Sequence, residues 1–154
     1  MMKDEAKNIL NYFFVNTFNK IMAYEEHYLT RGEFANLTVK EFHAIEAVAD
    51  TREMNENTMS NIAGQLTLSV GSLTTTMNVL VRKGYVQRRG STKDRRIIYI
   101  ELTEMGEHAL AKHRAFHEEM IENTAKVLAE NEYETLISAL DKLSQFFTEK
   151  NKEI

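Results

Sequence analysis

The chain has 154 residues, 43% of them hydrophobic and 27% charged, the profile of one globular domain able to bury about 70% of its unfolded surface. It contains no cysteine, no proline and only six glycines, which excludes disulfide frameworks, cysteine-ligated metal or iron–sulfur sites and thiol catalysis, and favours long helices over a turn-rich β fold. The net charge of −4 would argue against a polyanionic partner if it were spread evenly, and it is not.

Residues from about 4 to 28 carry Leu10, Phe13, Phe14, Ile21 and Tyr28 on a helix-period stripe unbroken by glycine or proline, which predicts one long first helix. Asp4 and Glu5 stand where a signal peptide carries only positive charge, and the expectation is a cytoplasmic protein. After Arg31-Gly32, Thr38 and Glu41 form a capping box for a second helix with Phe42, Ile45, Val48 and Ala49 inward. Residues 58–66 predict a short third helix, burying Ile62, Ala63 and Leu66. Ser69 then caps a fourth, closed by Gly84, in which Val70, Leu73, Met77 and Leu80 face the core and Arg82 and Lys83 favour the carboxyl end.

The period then changes to two. Residues 85–89 and 95–102 read as strands around the turn 90–94, a β-hairpin with a basic tip. Thr103 caps a fifth helix through Met105, Ala109, Phe116, Met120 and Val127, and Asn131 with Glu134 opens a last one with Tyr133, Leu136, Leu140, Leu143 and Phe147 on a single stripe. The run from Asn57 to Val81 is uncharged for 25 residues, but 14 of these are Asn, Gln, Ser, Thr or Gly, too polar to face lipid.

That polar run sits next to a concentration of positive charge. Residues 69–100 hold seven bases, Arg82, Lys83, Arg88, Arg89, Lys93, Arg95 and Arg96, against Asp94 alone, a local charge of +6; the rest of the chain carries −10. One positive surface on an acidic body is the footprint of a nucleic-acid-binding protein. Helix, short helix, polar helix and basic hairpin is the order of a winged helix-turn-helix. The helix Ser69 to Lys83 would enter a major groove with Gly71, Ser72, Thr74, Thr75, Asn78 and also Thr76 toward base edges. Arg82, Lys83, Arg88 and Arg89 would touch phosphate, and Lys93, Arg95 and Arg96 at the hairpin tip would enter the minor groove, Asp94 orienting Arg96 in a bidentate pair.

The stretch from Ser60 to Gly106 resembles the winged-helix core of the MarR family of bacterial transcription regulators, through Lys83-Gly84-Tyr85-Val86 with Arg88-Arg89, the wing Asp94-Arg95-Arg96, and Leu102-Thr103 followed by Gly106. The fold that this resemblance implies is mainly α with a small β-hairpin wing, a winged helix-turn-helix in a MarR-like homodimer. It implies a dimerisation helix over 1–35, a DNA-binding lobe over 36–102 and dimerisation helices over 103–154, and a double-stranded DNA partner. It also implies a minor-groove role for Arg96, steadied by Asp94. The segment Leu37 to Val48 and the opening from Asn11 to Glu26 resemble the FabT-type branch, which represses fatty-acid synthesis genes and responds to acyl chains on acyl carrier protein. A ligand site for such a chain would draw on Phe13, Phe14, Phe18, Phe42 and His43.

Other chemistries find less support. His113 and His117 lie at i and i+4, with His43 or His27 available to join them, but a helical histidine pair is ordinarily polar surface and no third ligand has motif spacing. No phosphate loop, nucleophile elbow or HExxH occurs, so the expectation is no metal, no cofactor and no catalysis.

Overall fold

The computed structural model describes residues 3–153 and divides into two compact units, one ending at Phe116 and the other beginning at His117. The elements run α1 (Lys3–Tyr12), a π-helical turn (Phe13–Thr17), α2 (Phe18–Leu29), a 3-10 turn (Gly32–Phe34), α3 (Val39–Glu53), α4 (Met59–Gln65), α5 (Val70–Lys83), β1 (Val86–Gly90), β2 (Ile98–Leu102), α6 (Glu104–Lys126) and α7 (Glu130–Lys152). This is the mainly helical fold with one hairpin that the sequence predicts. No helix among the described residues is long and apolar enough to cross a membrane.

The first helix is not uniform. The Phe18 N–H bonds Phe13 O, five residues back, and the Asn19 side-chain amide donates to Val15 O at 2.7 Å. A side chain that takes up a helix carbonyl loosens the ladder there, and the wider turn results.

In the first unit α3, α4 and α5 each begin on a side-chain cap. Thr38 Oγ1 accepts from the Glu41 N–H (3.2 Å) while Glu41 Oε2 accepts from the Thr38 N–H (2.8 Å), the complete box. Ser69 Oγ accepts from the Ser72 N–H at 3.1 Å and opens α5. Gly84 ends it at φ 83°, a left-handed conformation costly for any other residue, and the chain turns back with the Tyr85 N–H on Leu80 O at 3.0 Å.

Phe42, Ile45, Val48 and Ala49 of α3, Ile62 and Ala63 of α4, and Leu73, Met77 and Leu80 of α5 are all buried in one core; Leu66 is half-buried and Val70 is exposed instead. Val70 stands in the first turn of α5, where a residue projects past the end of the packing face.

β1 and β2 pair antiparallel from Val86 with Leu102 to Gly90 with Ile98. The second strand starts at Ile98, because Arg95 to Ile97 are used in the turn, where the Ile97 N–H bonds Asp94 O at 3.1 Å. On the other edge of β2, the Ile100 N–H bonds Asn57 O (2.9 Å) and the buried Asn57 amide donates to Ile100 O (2.7 Å), so the wing is fastened to the α3–α4 connection.

α6 starts where Thr103 Oγ1 accepts from the Gly106 N–H and its hydroxyl donates to Gly84 O at 2.6 Å. A Cβ on Gly106 would stand 2.2 Å from Tyr85 O, which explains the glycine. Of the positions assigned inward on this helix, Ala109 and Phe116 are buried, Met105 and Val127 are exposed.

α7 is capped two residues earlier than expected. Glu132 Oε2 accepts from the Ala129 N–H at 2.8 Å, so Ala129 and Glu132, not Asn131 and Glu134, form the helix start. No residue of α7 is buried, and Tyr133, Leu136, Leu140 and Phe147 leave its apolar stripe open. In the first unit Leu10, Phe13, Phe14, Phe18 and Ile21 form a second exposed apolar stripe.

Candidate nucleic-acid interface and a buried acid–histidine node

Three core residues of α5 fix which way the rest of that helix points. With Leu73, Met77 and Leu80 buried, Gly71, Ser72, Thr75 and Asn78 come out exposed and Thr74 and Thr76 half-exposed, one face of small hydrogen-bonding groups. The Thr74 hydroxyl donates to Val70 O at 2.7 Å and that of Thr75 to Gly71 O at 3.5 Å, so both spend their protons on the helix and offer their oxygens outward as acceptors.

The bases around this face fall into two groups. Among the described residues Arg82, Lys93, Arg95 and Arg96 are exposed and make no ion pair. The other three are engaged. Arg88 Nη2 donates to Asn78 Oδ1 at 2.7 Å, tying β1 to α5. Arg89 pairs with Glu101 across the hairpin and lies over the Tyr99 ring at 5.0 Å. Lys83 does not act at the carboxyl end of its helix as expected. Its ammonium reaches the α3 capping box, 2.9 and 2.8 Å from the two Glu41 carboxylate oxygens, and also donates to Asn36 O.

The bidentate Asp94–Arg96 pair is absent. Asp94 Oδ1 instead accepts from the Arg96 backbone N–H at 2.9 Å, while Ser91 Oγ accepts from the N–H groups of Lys93 and Asp94, each at 3.2 Å. A carboxylate two residues back reaches the backbone before it reaches the end of a long side chain, so Asp94 shapes the turn and leaves the Arg96 guanidinium free.

A second constellation lies inside the first unit. Glu25 of α2, buried, has Oε1 2.9 Å from His43 Nε2 and 3.1 Å from His113 Nε2. His113 is 1% exposed, stacks on Phe42 at 5.9 Å, and places Nδ1 2.9 Å from Glu46 Oε2. A ring with both nitrogens against carboxylates is suited to the doubly protonated form. Burial pushes His113 down, but Glu46 and Glu25 outweigh it and hold the ring above the ordinary histidine value. Burial likewise pushes Glu25 up, and the hydrogen bonds from His43 and His113 outweigh that to hold it below the usual carboxylate range.

The matched family model is the transcriptional regulator SarA/Rot, over residues 18–113. The chain belongs to the SarA/Rot family of transcriptional regulators. It is a regulator, not an enzyme. It is 30% identical over 88 residues to the uncharacterized HTH-type transcriptional regulator YwhA of Bacillus subtilis (strain 168), a match that spans 57% of this chain and 63% of that protein, under two thirds of its length. The crystal structure of Streptococcus pneumoniae FabT in complex with DNA is 29% identical, with a TM-score of 0.86 over 93% of this chain and 98% of that one. A crystal structure of a MarR family transcription regulator, 19% identical, shares the fold with a TM-score of 0.79 over 99% of each chain.

The five expected ligand residues of this SarA/Rot chain lie in different surroundings. Phe42 is fully buried beneath Phe34 and His113, whereas Phe13, Phe14 and Phe18 are exposed on and beside the π turn. Of the five ligand candidates, His43 lines cavities. It helps to wall two cavities, one of about 420 Å³ with Met22, Ala23, Glu26, Val39 and Lys40, the other of about 190 Å³ with Lys40, Leu66, Leu68, Leu73 and Thr76. His113 is core, not polar surface, and His117 is half-buried in the second unit. Glu25, Glu46 and Asn57 had no mark in the sequence as functional residues. Glu25 in a run of exposed helix positions is one glutamate among many, and only the fold brings it to His113, 88 residues away.

Proposed function

We propose that this chain is a homodimeric repressor that binds a pseudo-palindromic site in duplex DNA and controls fatty-acid synthesis genes in response to acyl chains on acyl carrier protein. The observation that carries the DNA reading is the exposed face of α5, hydroxyls and amides without charge, bordered by the unpaired Arg82, Lys93, Arg95 and Arg96. In this reading Ser69, Gly71, Ser72, Thr74, Thr75 and Asn78 work in the major groove, Arg82, Arg88 and Arg89 at phosphates, and Lys93, Arg95 and Arg96 with Asp94 at the minor groove. The exposed apolar stripes of α1–α2 and of α7 support pairing of two copies through residues 1–35 and 103–154. The likeness to the DNA complex of FabT supports the same partner here.

The lipid response rests on that likeness together with the two largely apolar cavities that share Lys40 and His43. A ligand there would act by population shift, favouring one separation of the recognition helices. The test is binding to duplexes from the promoters of fatty-acid synthesis genes. Arg96→Ala should weaken binding on every sequence and flatten the salt dependence, and Ser72→Ala or Thr75→Ala should change base preference more than salt slope. Acyl carrier protein loaded with a long chain should shift the affinity where the unloaded carrier does not; identical curves would remove the lipid reading.

The node favours a second reading. Glu25, His43 and His113 place their ligand atoms within 4.8 Å of one another, a nitrogen, nitrogen and oxygen set that suits zinc or another first-row divalent ion. Glu46 on His113 Nδ1 stands where an outer carboxylate orients a metal-binding histidine. Under this reading zinc raises the Tm of chelator-stripped protein, His43→Ala and His113→Ala abolish the rise, and DNA affinity follows zinc and not acyl cargo.

A further inference from the structure

The cavity between the wing and the α3–α4 connection, about 260 Å³, lies apart from the exposed face of α5 and carries no carboxylate in its lining. Asn55, Arg89, Ser91, Thr92, Lys93 and Tyr99 border it. Their donors are held in place and only partly used. Arg89 gives its Nε–H to Glu101 and rests its plane on Tyr99, which fixes the guanidinium and leaves its outer N–H groups. Ser91 Oγ accepts two backbone N–H groups, so its own proton remains to be donated. Lys93 has no carboxylate partner among the described residues. Asn55 sits at φ 58°, a left-handed conformation that asparagine tolerates, and so reaches the rim of the cavity from the connection opposite the wing.

From this arrangement we infer that the cavity seats one phosphate of the DNA backbone beside the groove the wing enters, with Asn55 and Thr92 as binding residues in addition to Arg89, and with Lys93 turned to that phosphate while Arg95 and Arg96 keep to the groove. The inference rests on the DNA-binding reading above. A fixed guanidinium fork, an ammonium, hydroxyls and an amide converging on a carboxylate-free space match a tetrahedral monoanion. The charge count agrees: Glu101 offsets Arg89, and Lys93 leaves one net positive charge for one phosphodiester. The minor groove is only about 6 Å wide, so a wing inserted there has a sugar–phosphate strand along each flank. The wing and the α3–α4 connection are fastened to each other through Asn57 and Ile100 and would close on that strand as one rigid piece.

The test uses the full chain, a duplex selected by it from a random-sequence pool, and a scrambled duplex. Asn55→Asp keeps both size and tolerance of a left-handed backbone, so the fold is preserved while a negative charge enters the cavity. Affinity should fall by about tenfold at low salt, equally on the two duplexes. Lys93→Gln should lower the salt slope by about one ion. Replacing flanking phosphates one at a time by neutral methylphosphonates should reveal one position that weakens the natural chain and leaves Asn55→Asp unaffected. If Asn55→Asp binds like the natural chain at all salts while Arg96→Ala does not, the seat is refuted and the DNA reading stands. If no duplex is bound by the natural chain, the DNA reading itself falls and the seat with it. Inorganic phosphate is the remaining arm. Saturable binding at this cavity with no effect of Asn55→Asp on DNA would assign it to a small phosphorylated molecule and overturn the inference.

Discussion

The wing and the acid–histidine node hold charge in opposite ways. At the wing tip Lys93, Arg95 and Arg96 are exposed and unpaired among the described residues, so their charge faces water at little cost and is available to a partner. In the node Glu25 and His113 are almost wholly enclosed, and each charge is held by hydrogen bonds to the other and to His43 and Glu46. Removing a wing charge should therefore alter binding and leave folding intact, while removing a node charge should do the reverse.

The largest effect expected is that of His113→Leu. Glu25 and Glu46 would lose a shared partner, and a buried carboxylate left short of its counter-charge costs about 3–5 kcal/mol. Urea unfolding should show that loss for His113→Leu and a change within about 0.5 kcal/mol for Arg96→Ala, with the order inverted in DNA affinity. Equal stability for the two variants would mean that the node is no more than a polar patch in the core.

The same contrast explains what could be read from the chain beforehand. The capping box at Thr38 and Glu41, the cap at Ser69, the left-handed Gly84 and the alternation around Ile100 are written within a few residues of the structure they form. The recognition face followed from those, since three buried positions on a helix fix the exposed ones. The node was legible only in part: His113 and His43 were candidates for one site, but the spacing pointed to His117 as the partner, and Glu25, 18 and 88 residues from the two histidines it meets, carried no mark. Phe42 was placed both inward on its helix and among the ligand candidates, for a related reason. A helical aromatic stripe reads alike whether it lines a tunnel or fills a core, and the side chain that decides it, His113, comes from α6. The π turn escaped because it depends on one side-chain amide, Asn19, competing for a backbone carbonyl.

Lys83 sharpens the comparison, since it belongs to the basic segment by sequence and to the buried class by structure. Its side chain is 26% exposed and that of Glu41 only 9%. Lys83→Met should cost about 1–3 kcal/mol, below the full penalty for a buried pair because water still reaches the ammonium. Its neighbour Arg82→Ala should leave stability within about 0.5 kcal/mol and weaken DNA binding. Thermal unfolding paired with fluorescence anisotropy separates the two; similar loss of affinity with no loss of stability for Lys83→Met would place Lys83 at the DNA.

pH acts on the node through Glu25 and His113. Glu25 is held below its ordinary value of 4.5, so its contribution is present above that value and is lost as pH falls through the lower folded one. His113 is held above 6.5, so its contribution is present below 6.5 and is lost as pH rises through the higher folded value. Metal-free protein should accordingly be most stable between about pH 4.5 and 6.5 as far as these two groups decide it. His113→Leu should flatten the alkaline side of the profile. A natural chain whose Tm does not fall between pH 6.5 and 8 would show that His113 is neutral in the folded state.

The smallest effect separates two roles for one carboxylate. Asp94 places negative charge on a tip otherwise made of Lys93, Arg95 and Arg96, which is tolerable only if its oxygen does something the turn requires. Its contact with the Arg96 N–H requires an acceptor at Oδ1 and no charge. Asp94→Asn keeps that acceptor and removes the charge, so DNA affinity should stay within about twofold of the natural chain or rise slightly. Asp94→Ala frees the Arg96 N–H and slackens the turn, a loss of about 0.5–1.5 kcal/mol in binding, or roughly twofold to twelvefold. Had Asp94 worked through the guanidinium, the asparagine would fail as badly as the alanine, because the strength of that contact lies in the charge. Equal losses from the two variants would therefore restore the ion pair in the DNA-bound state and make Arg96, not the backbone turn, what Asp94 holds.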